Sequence, residues 1–353
     1  MKSKRQLIWI LVGSVQGGGT QAVALRTFND YIRLGYKVKL IAFREKDNKI
    51  HDDVVSFGAS SSLNAIPKIY HLWYKQKPSH IICFNLEMSM GLLPLLATNT
   101  VLITRVMNTL SKRKNDKRLR LKDRLFTRLY LSSLPLFNKI IVQCDCMMED
   151  LVRMNRRIKP HKLLRIYNPL PRKANNKNCQ SQEAQINILA ISRLEAHKNL
   201  IFILKIVESM RNKGLNVRLD IYGSGEQREI LLNQIESLGL HSIVYLKGYV
   251  NYSDIVFADY DVFTLTSFYE GFPNALIEAI ANNVPAIAKD ISCGPKEIIV
   301  NYKNGVLLET WEVADWINAI LWVSQNLKGQ NLLLPLSLAD KNRRRGLQTL
   351  LDG

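Results

Sequence analysis

The sequence predicts an α/β protein of two doubly wound, Rossmann-like domains, each with a mostly parallel sheet covered by helices on both faces. Short apolar runs typical of buried strands alternate with amphipathic stretches of helical period. The alternation stops at residue 168 and restarts after a polar stretch. A length of 353 residues agrees with two domains, because a single hydrophobic core rarely grows beyond about 250–300 residues.

The first domain, residues 1–170, begins with a predicted strand over residues 7–13, followed by a glycine turn and a helix over residues 21–35. The basic and then apolar N-terminus imitates a secretion signal, but the apolar run passes directly into the glycine turn, which favours a buried first strand. Six more strands are predicted at residues 37–43, 53–57, 80–84, 101–105, 139–143 and 162–167. The longest apolar stretch, residues 91–106, contains Pro94, Asn99 and Arg105 and is too short to cross a membrane as a helix.

A polar stretch rich in Asn, Gln and Pro predicts a linker over residues 171–185. The second domain, residues 186–325, has strands predicted at 186–192, 217–223, 243–248, 261–266 and 285–290. Its predicted helices cover residues 199–214, 226–239 and 274–282. Residues 326–353 are expected to form a helical tail. Ligands of such sheets bind at the carboxyl ends of the strands, so those loops are expected to carry the chemistry and to face a cleft between the domains.

The positive charge is confined to the first half of the chain. Residues 1–170 hold 30 of the 49 Lys and Arg residues and 11 of the 30 Asp and Glu residues, whereas residues 171–353 are neutral overall. A field this polarised predicts a polyanionic partner for the first half: nucleic acid, an anionic membrane or a diphosphate. The alternative is a basic surface that serves only solubility.

The loop after the strand at 261–266 leads into a helix opened by Pro273 and Asn274. Proline suits a first helical turn, and the free amides there favour an anion. Glu270 precedes this turn and Glu278 lies one turn inside the helix, where a carboxylate can accept hydrogen bonds from a vicinal diol such as a ribose. Alternatively, Glu270 is a helix-start charge and Glu278 is solvated.

These residues carry a family resemblance. Glu270 and Glu278, set in EGFPNALIEA with seven residues between them, resemble the E-x7-E motif of retaining glycosyltransferases with the GT-B fold, in particular family four, or group 1. Arg193 and Lys198 in LAISRLEAHKNL resemble the family's strand, Arg, loop, Lys signature. LDIYGSGEQRE resembles its Gly-x-Gly turn. The landmarks occur in the family's order over most of the chain.

The resemblance implies a nucleotide-sugar site in the second domain. Arg193 and Lys198 would neutralise the donor diphosphate as the sugar departs. Glu278 would bind the ribose, and Glu270 would be the catalytic residue, nearest the reacting centre. The donor-binding set consists of cations, loop glycines and helix-start residues: Arg193, Lys198, Gly223, Gly225, Gly271, Phe272, Asn274, Glu278, Gly18 and Gly19. Two cations and a helix start can replace a divalent metal, so no metal and no other cofactor is expected.

The first domain departs from the family at two places. Its glycine run ends at Gly19 and continues with Thr20 and Gln21, without the acidic residue that usually follows. Where relatives often have Arg-x-His-Asn near the acceptor, this chain has Arg105 and Asn108 with Met107 in the histidine position. Arg105 and Asn108 remain the predicted acceptor-side residues. Methionine cannot transfer a proton, so a histidine base is not expected.

Residues 111–137 combine basic charge with leucines at helical spacing. The basic residues are Lys112, Arg113, Lys114, Lys117, Arg118, Arg120, Lys122, Arg124 and Arg128. Such a segment suits an anionic membrane surface. Nucleic acid is the rival partner, but no recognisable nucleic-acid module and little aromatic interleaving are present. The alternative without a partner is a solvated basic helix that packs on the domain through its leucines.

We therefore expect a glycosyltransferase that moves a hexosyl or N-acetylhexosaminyl group, with retention, from a nucleotide diphosphate sugar to a lipid-linked glycan. A UDP-sugar is the expected donor. The protein would act in the cytoplasm, peripherally at the inner face of the plasma membrane, in capsule, O-antigen or similar polysaccharide synthesis, without a nucleic-acid partner. The alternatives are an epimerase or phosphorylase of the same architecture, or a non-catalytic binder of sugar nucleotides or polyanions. Met107 and a tail that looks short for bracing the first domain favour the last.

Overall fold

The computed structural model describes residues 6–15, 19–44, 53–118, 120–170, 185–338 and 340–351. The chain forms two compact units, one of residues 1–169 with 340–353 and one of residues 170–339. Of the predicted linker over 171–185, all but Gln185 lies outside the described residues.

Strands and helices alternate along both units. In the first they are β1 (Leu7–Val12), α1 (Gly19–Arg33), β2 (Lys37–Ala42), β3 (Val54–Ser56), α2 (Ser62–Gln76), β4 (His80–Cys83), α3 (Leu86–Gly91), β5 (Val101–Arg105), α4 (Leu110–Asn115), α5 (Leu121–Ser133), β6 (Lys139–Val142), α6 (Asp145–Met154) and β7 (Leu163–Arg165). In the second they are β8 (Ile186–Ile191), α7 (Leu200–Asn212), β9 (Val217–Tyr222), α8 (Arg228–Ser237), β10 (Val244–Gly248), β11 (Val262–Leu265), α9 (Asn274–Ala281), β12 (Ala286–Lys289), α10 (Pro295–Ile298), β13 (Gly305–Leu308) and α11 (Val313–Asn326). The last helix, α12 (Asp340–Thr349), returns to the first unit.

Each unit contains one parallel sheet, which confirms the predicted fold class. The strand order is β3-β2-β1-β4-β5-β6-β7 in the first unit and β10-β9-β8-β11-β12-β13 in the second. Every pair of neighbouring strands is parallel, so the carboxyl ends of all strands in a sheet lie at one edge.

Burial explains why the strands are apolar throughout. In β1 the residues from Ile8 to Val12 are all buried, because helices cover both faces of a parallel sheet. The amphipathic helix α1 packs Phe28 and Tyr31 into the core cluster that contains Ile10. Within the described residues, no helix is long and apolar enough to span a bilayer.

The C-terminal tail packs on the first domain, although the sequence makes it look too short to do so. Helix α12 reaches the first unit, where Leu347, Leu350 and Leu351 belong to the same core cluster as β1. Its Arg343 forms a buried ion pair with Asp30 at 2.5 Å, and Tyr31 Oη donates to the carbonyl of Leu347 at 3.2 Å. A single helix of ten residues is therefore long enough to brace the first domain.

Among the described strands and α-helices of the second unit, three lie outside the predicted elements. Strand β13 and helix α10 have four residues each, so they contain barely one period of any pattern and periodicity cannot identify them. Helix α11 has fourteen residues. Its buried positions Trp316, Ile320 and Val323 do have helical spacing, so the sequence contains a signal that the prediction did not use.

Candidate functional site

Two loops at the carboxyl edge of the second sheet form the candidate site. Strand β11 pairs with β8, so the loop that follows β8 and the loop that follows β11 lie side by side. The Thr266 hydroxyl donates to the carbonyl of Lys198 at 3.0 Å, and the Phe268 amide donates to the carbonyl of His197 at 2.9 Å. These bonds hold the backbone of the Lys198 loop against the loop that carries Glu270.

Lys198 and Glu270 meet at the centre of this pair of loops. Lys198 Nζ lies 2.6 Å from Glu270 Oε1, and the Ser267 hydroxyl donates to the same oxygen at 2.6 Å. Glu270 is only 6% exposed. Burial alone would raise the pKa of the Glu270 carboxyl, but the charge of Lys198, hydrogen bonds from Lys198 and Ser267, and the nearby His197 together lower it below its usual value. Glu270 is therefore held as a carboxylate.

Arg193 lies on the same loop as Lys198, with its side chain 58% exposed. Its guanidinium forms an ion pair with Glu195 at 2.5 Å, and the other oxygen of Glu195 lies 3.3 Å from His197 Nδ1. The His197 ring stacks on Tyr269, with centroids 4.8 Å apart and an angle of 16° between the planes. Glu195 thus connects the exposed cation to the buried part of the site.

Gly223 and Gly225 allow a third loop to pack against the Arg193 loop. A Cβ atom on Gly223, whose φ is +140°, would lie 1.8 Å from the carbonyl oxygen of Ser192. A Cβ atom on Gly225 would lie 2.4 Å from the carbonyl oxygen of Leu194. The structure therefore gives both glycines a packing role, while their predicted contact with the donor stays a prediction.

The start of α9 lies where the sequence predicts an anion site. Pro273 is the residue before the helix, and its own side chain makes no capping hydrogen bond. Gly271 and Phe272 are buried in the preceding turn, and Asn274 is half-buried. The amides at a helix start attract phosphate groups.

Glu278 lies one turn inside α9 and is half-buried. The carbonyl of Glu278 accepts a hydrogen bond from Asn282 at 2.8 Å. The structure thus places Glu278 on the same helix whose start follows Glu270, as the E-x7-E spacing requires.

Ser267, Glu195 and His197 belong to the site but are not among the predicted residues. Ser267 is three residues before Glu270 in the same loop, so a search for hydrogen-bond donors near Glu270 would find it. The paired contacts of Glu195 and His197 arise from the folding of a 3-10 turn over Ala196–Lys198, which has no simple sequence signature.

The described residues contain no group of three or more His, Cys, Asp or Glu side chains able to hold a metal ion. The sequence has one Asp-x-Asp triplet, Asp259 to Asp261. Asp261 is buried at the amino end of β11, where it pairs with Lys328 at 2.5 Å and accepts from the amide of Asn187 at 2.7 Å. Asp261 therefore lies at the opposite end of β11 from the loop of Glu270.

In the first domain Arg105 differs from its prediction as an acceptor contact. It is 2% exposed, and its Nη2 donates to the carbonyl of Ile166 at 2.9 Å and to Asn168 Oδ1 at 2.7 Å. Burial lowers the pKa of Arg105, and the nearby charge of Arg343 lowers it further. Arg105 thus connects the carboxyl end of β5 to the segment after β7, inside the domain.

Among the other first-domain positions singled out in the sequence, Met107 lies next to this network. Gln143 accepts from Asn168 at 3.2 Å and donates to the carbonyl of Val106 at 3.2 Å, with Met107 Sδ 3.4 Å away. Asn108 is half-buried in the turn that follows. Gly19 is the exposed first residue of α1, and Gly18 lies outside the described residues.

Comparison with known sequences shows that the second domain is similar to a known family. Residues 171–332, slightly less than half of the chain, match the family described as Glycosyl transferases group 1. A poly(ribitol-phosphate) alpha-N-acetylglucosaminyltransferase of Staphylococcus aureus is 32% identical over 136 residues, which are 38% of this chain and 28% of that protein. A poly(glycerol-phosphate) alpha-glucosyltransferase of Bacillus subtilis is 33% identical over 131 residues, 37% of this chain and 20% of that protein. The matches thus cover less than a third of each relative.

Solved structures resemble the whole chain in fold. S. aureus TarM, crystallised as a mutant in complex with Fondaparinux, alpha-GlcNAc-glycerol and UDP, has a TM-score of 0.79 at 14% identity, over 99% of this chain and 100% of that chain. Anabaena HepE with UDP and glucose has a TM-score of 0.77 at 15% identity, over 99% and 100%. The two domains have the GT-B architecture that these proteins share.

Proposed function

We propose that the whole protein is a glycosyltransferase that uses a nucleotide diphosphate sugar, because residues 171–332 match the family described as Glycosyl transferases group 1. The observation that carries the proposal is the contact between Lys198 and Glu270 at 2.6 Å, which joins two motif residues from different loops. The two residues are 72 positions apart in the sequence, and only the pairing of β8 with β11 brings them together.

In the proposed reaction the bond between the anomeric carbon and the diphosphate oxygen breaks. The acceptor hydroxyl oxygen forms the new glycosidic bond, and its proton passes to the departing diphosphate. Lys198 and Arg193 neutralise the negative charge that grows on the diphosphate, and the start of α9 adds its amides. Glu270, kept ionised by its neighbours, lies against the sugar, and Glu278 binds the ribose hydroxyls.

We propose a UDP-sugar as donor, with a hexosyl or N-acetylhexosaminyl group, and retention at the anomeric carbon. The names of both curated relatives specify an alpha-glucosyl or alpha-N-acetylglucosaminyl transfer. TarM and HepE were crystallised with UDP. The sugar in UDP-glucose is itself alpha-linked, so an alpha product corresponds to retention. We further propose that no metal or other cofactor takes part, since two cations and a helix start can replace a divalent metal at the diphosphate.

For the acceptor we propose a lipid-linked glycan at the inner face of the plasma membrane. The support is the net charge of the first domain, since all of the chain's +19 excess lies within residues 1–170. A polyol-phosphate chain is a second candidate, because the two curated relatives are named for poly(ribitol-phosphate) and poly(glycerol-phosphate). Either acceptor carries the phosphates that a basic domain attracts.

The proposal is tested by release of nucleotide diphosphate from a panel of UDP-, GDP- and ADP-sugars, with and without acceptor. Glu270→Ala and Lys198→Ala should each lower turnover by about 100-fold or more, because each removes a charge next to the reacting centre. Arg193→Ala provides a variant that should fold normally, since its side chain is 58% exposed. It should lower turnover as well as raise the KM for the donor, because Arg193 is proposed to neutralise charge that grows on the diphosphate.

Matched controls are Lys205→Ala and Glu236→Ala, two exposed residues of the same domain that should leave turnover unchanged. Product formation that needs no acceptor would point instead to an epimerase. Full activity in both the Glu270 and the Lys198 variants would show that the site is wrongly assigned. Donor binding without turnover by any acceptor would favour a non-catalytic binder.

A further inference from the structure

Helix α5 exposes a row of leucines to solvent. Leu121 is 76% exposed, Leu125 54% and Leu129 51%, and their spacing of four residues places them along one side of the helix. The opposite side holds the helix on the domain through residues that are all buried: Thr127, Tyr130, Leu131 and Ser133. The leucines are thus not the face by which α5 packs on the domain. This excludes the alternative that the segment is a basic helix packed through its leucines.

Positive charge borders the leucines on both sides. By the 100° turn per residue of a helix, Lys122 and Arg128 lie at the two edges of the leucine row, and both are exposed. We call Leu121, Lys122, Leu125, Arg128 and Leu129 the α5 leucine face. Exposed cations continue in the segment before it: Lys112, Lys117, Arg118 and Arg120.

The two acidic residues of this segment do not cancel its positive charge. Asp116 is buried and forms an ion pair with Arg118 at 2.7 Å. Asp123 is half-buried, on the flank of α5 away from the leucines. The surface therefore combines a continuous apolar row with an excess of cations.

We propose that the α5 leucine face docks on an anionic lipid bilayer, with α5 lying in the plane of the interface and its leucines inserted among the acyl chains. A polyphosphate acceptor or a nucleic acid would satisfy the cations but would leave three leucines in water. An anionic bilayer satisfies both, because its headgroups pair with Lys and Arg while its hydrocarbon covers the leucines. The proposal deepens the proposed function and rests on it only for the lipid-linked acceptor.

The test is flotation of the full chain with vesicles of phosphatidylcholine containing phosphatidylglycerol, and with vesicles of phosphatidylcholine alone. The protein should bind only the anionic vesicles. A triple variant, Leu121→Gln with Leu125→Gln and Leu129→Gln, should bind them about tenfold more weakly or worse, because the apolar contribution is lost while the charge is kept. The matched control is Leu63→Gln with Leu333→Gln, whose leucines are 64% and 74% exposed outside α5.

A second measurement uses Leu125→Trp in the full chain, with lipids brominated on their acyl chains. Quenching of the added tryptophan beyond that of the unchanged protein reports insertion directly. Vesicle binding that the triple variant retains in full would reduce the contact to charge alone and overturn the proposal. A change of oligomeric state in the triple variant would also overturn it, since a second copy would then cover the leucines.

Failure of docking is separable from failure of the proposed function. The triple variant keeps the whole second domain, so its thermal stabilisation by a UDP-sugar should equal that of the unchanged protein. Loss of vesicle binding with intact donor binding supports docking by α5. Absence of donor binding in the unchanged protein would count against the proposed donor. The vesicle result would still support or overturn docking by α5, because vesicle binding does not require the donor.

Discussion

Glu270 receives two hydrogen bonds on one carboxylate oxygen, from the ammonium of Lys198 and the hydroxyl of Ser267, both at 2.6 Å. Both donors favour the ionised form, and this lowers the pKa of Glu270 despite its burial. In the unfolded chain the group regains its ordinary pKa of about 4.5. The Glu270 interactions therefore stabilise the fold fully at neutral pH, and this contribution is lost as the pH falls through the lowered pKa of the folded state.

Substitution of Ser267 by alanine should reveal this linkage. Ser267→Ala removes one donor to a buried carboxylate and should lower the free energy of unfolding by about 1.5–3 kcal/mol at pH 7. The difference from the unchanged protein should shrink as the pH falls below the ordinary carboxyl pKa of about 4.5 and through the lowered pKa of Glu270 in the folded protein. Urea unfolding at several pH values measures both effects.

Ser237→Ala is the control for this measurement. Its exposed hydroxyl donates to the carbonyl of Gln234 at 3.0 Å, at the surface and away from any carboxylate of the site, so little loss is expected at any pH. A loss in Ser267→Ala that does not change as the Glu270 carboxylate becomes protonated would mean that the hydroxyl does not act through the charge of Glu270.

Among the elements of the second domain, the loop after β9 and the loop after β8 pack backbone against backbone. The amide of Leu194 donates to the carbonyl of Ser224, and the amide of Gln227 donates to the carbonyl of Leu194, both at 2.9 Å. Gly223 makes this approach possible, since any Cβ atom there would overlap the carbonyl of Ser192. The position of Arg193 therefore depends on a glycine in a neighbouring loop.

Gly223→Ala should thus destabilise the second domain and displace the Arg193 loop. We expect a loss of about 1–3 kcal/mol from overpacking, in addition to about 1 kcal/mol for the positive φ. Gly329→Ala separates the two effects, because Gly329 also has a positive φ of +74° but has no neighbour within 4 Å of an added Cβ. Thermal unfolding and the KM for the donor give the readouts, and equal losses in the two variants would contradict the packing argument.

In the molecule as a whole, the last helix completes the core of the first domain. Leu347 of α12 is 1% exposed and belongs to the cluster that contains β1 and α1. Arg343 of α12 also forms an ion pair with Asp30 of α1, and both side chains are at most 5% exposed. The first domain is therefore built from two segments separated by the entire second domain.

Leu347→Ala should lower the stability of the first domain by about 2–5 kcal/mol, because it removes buried methyl groups and leaves a cavity. Arg345→Ala, an exposed position on the same helix, should change it by no more than about 0.5 kcal/mol. Denaturant unfolding measures both. Similar, small effects in the two variants would indicate that α12 contributes little to the core.

The fold class, most of the strands and the motif positions can be predicted from the amino-acid sequence. Continuous apolar runs such as β1 reflect burial on both faces of a parallel sheet, a local pattern that needs no tertiary information. The split of charge between residues 1–170 and 171–353 is likewise a property of composition. The spacing of Glu270 and Glu278 follows from one loop and one helix, so it too is a local property.

Which of these residues touch, and which face water, depends on the tertiary structure. Arg105 belongs to an acceptor-side motif in the sequence, yet partners from the segment after β7 bind it in the interior of the domain. Leu121, Leu125 and Leu129 have the spacing of a packed stripe, but the domain binds the opposite side of α5. Periodicity shows that a helix has two sides, and only the neighbouring elements determine which side is covered. Contacts between distant segments, such as Lys198 with Glu270, depend on the pairing of strands and on chain reversal, which no local pattern encodes.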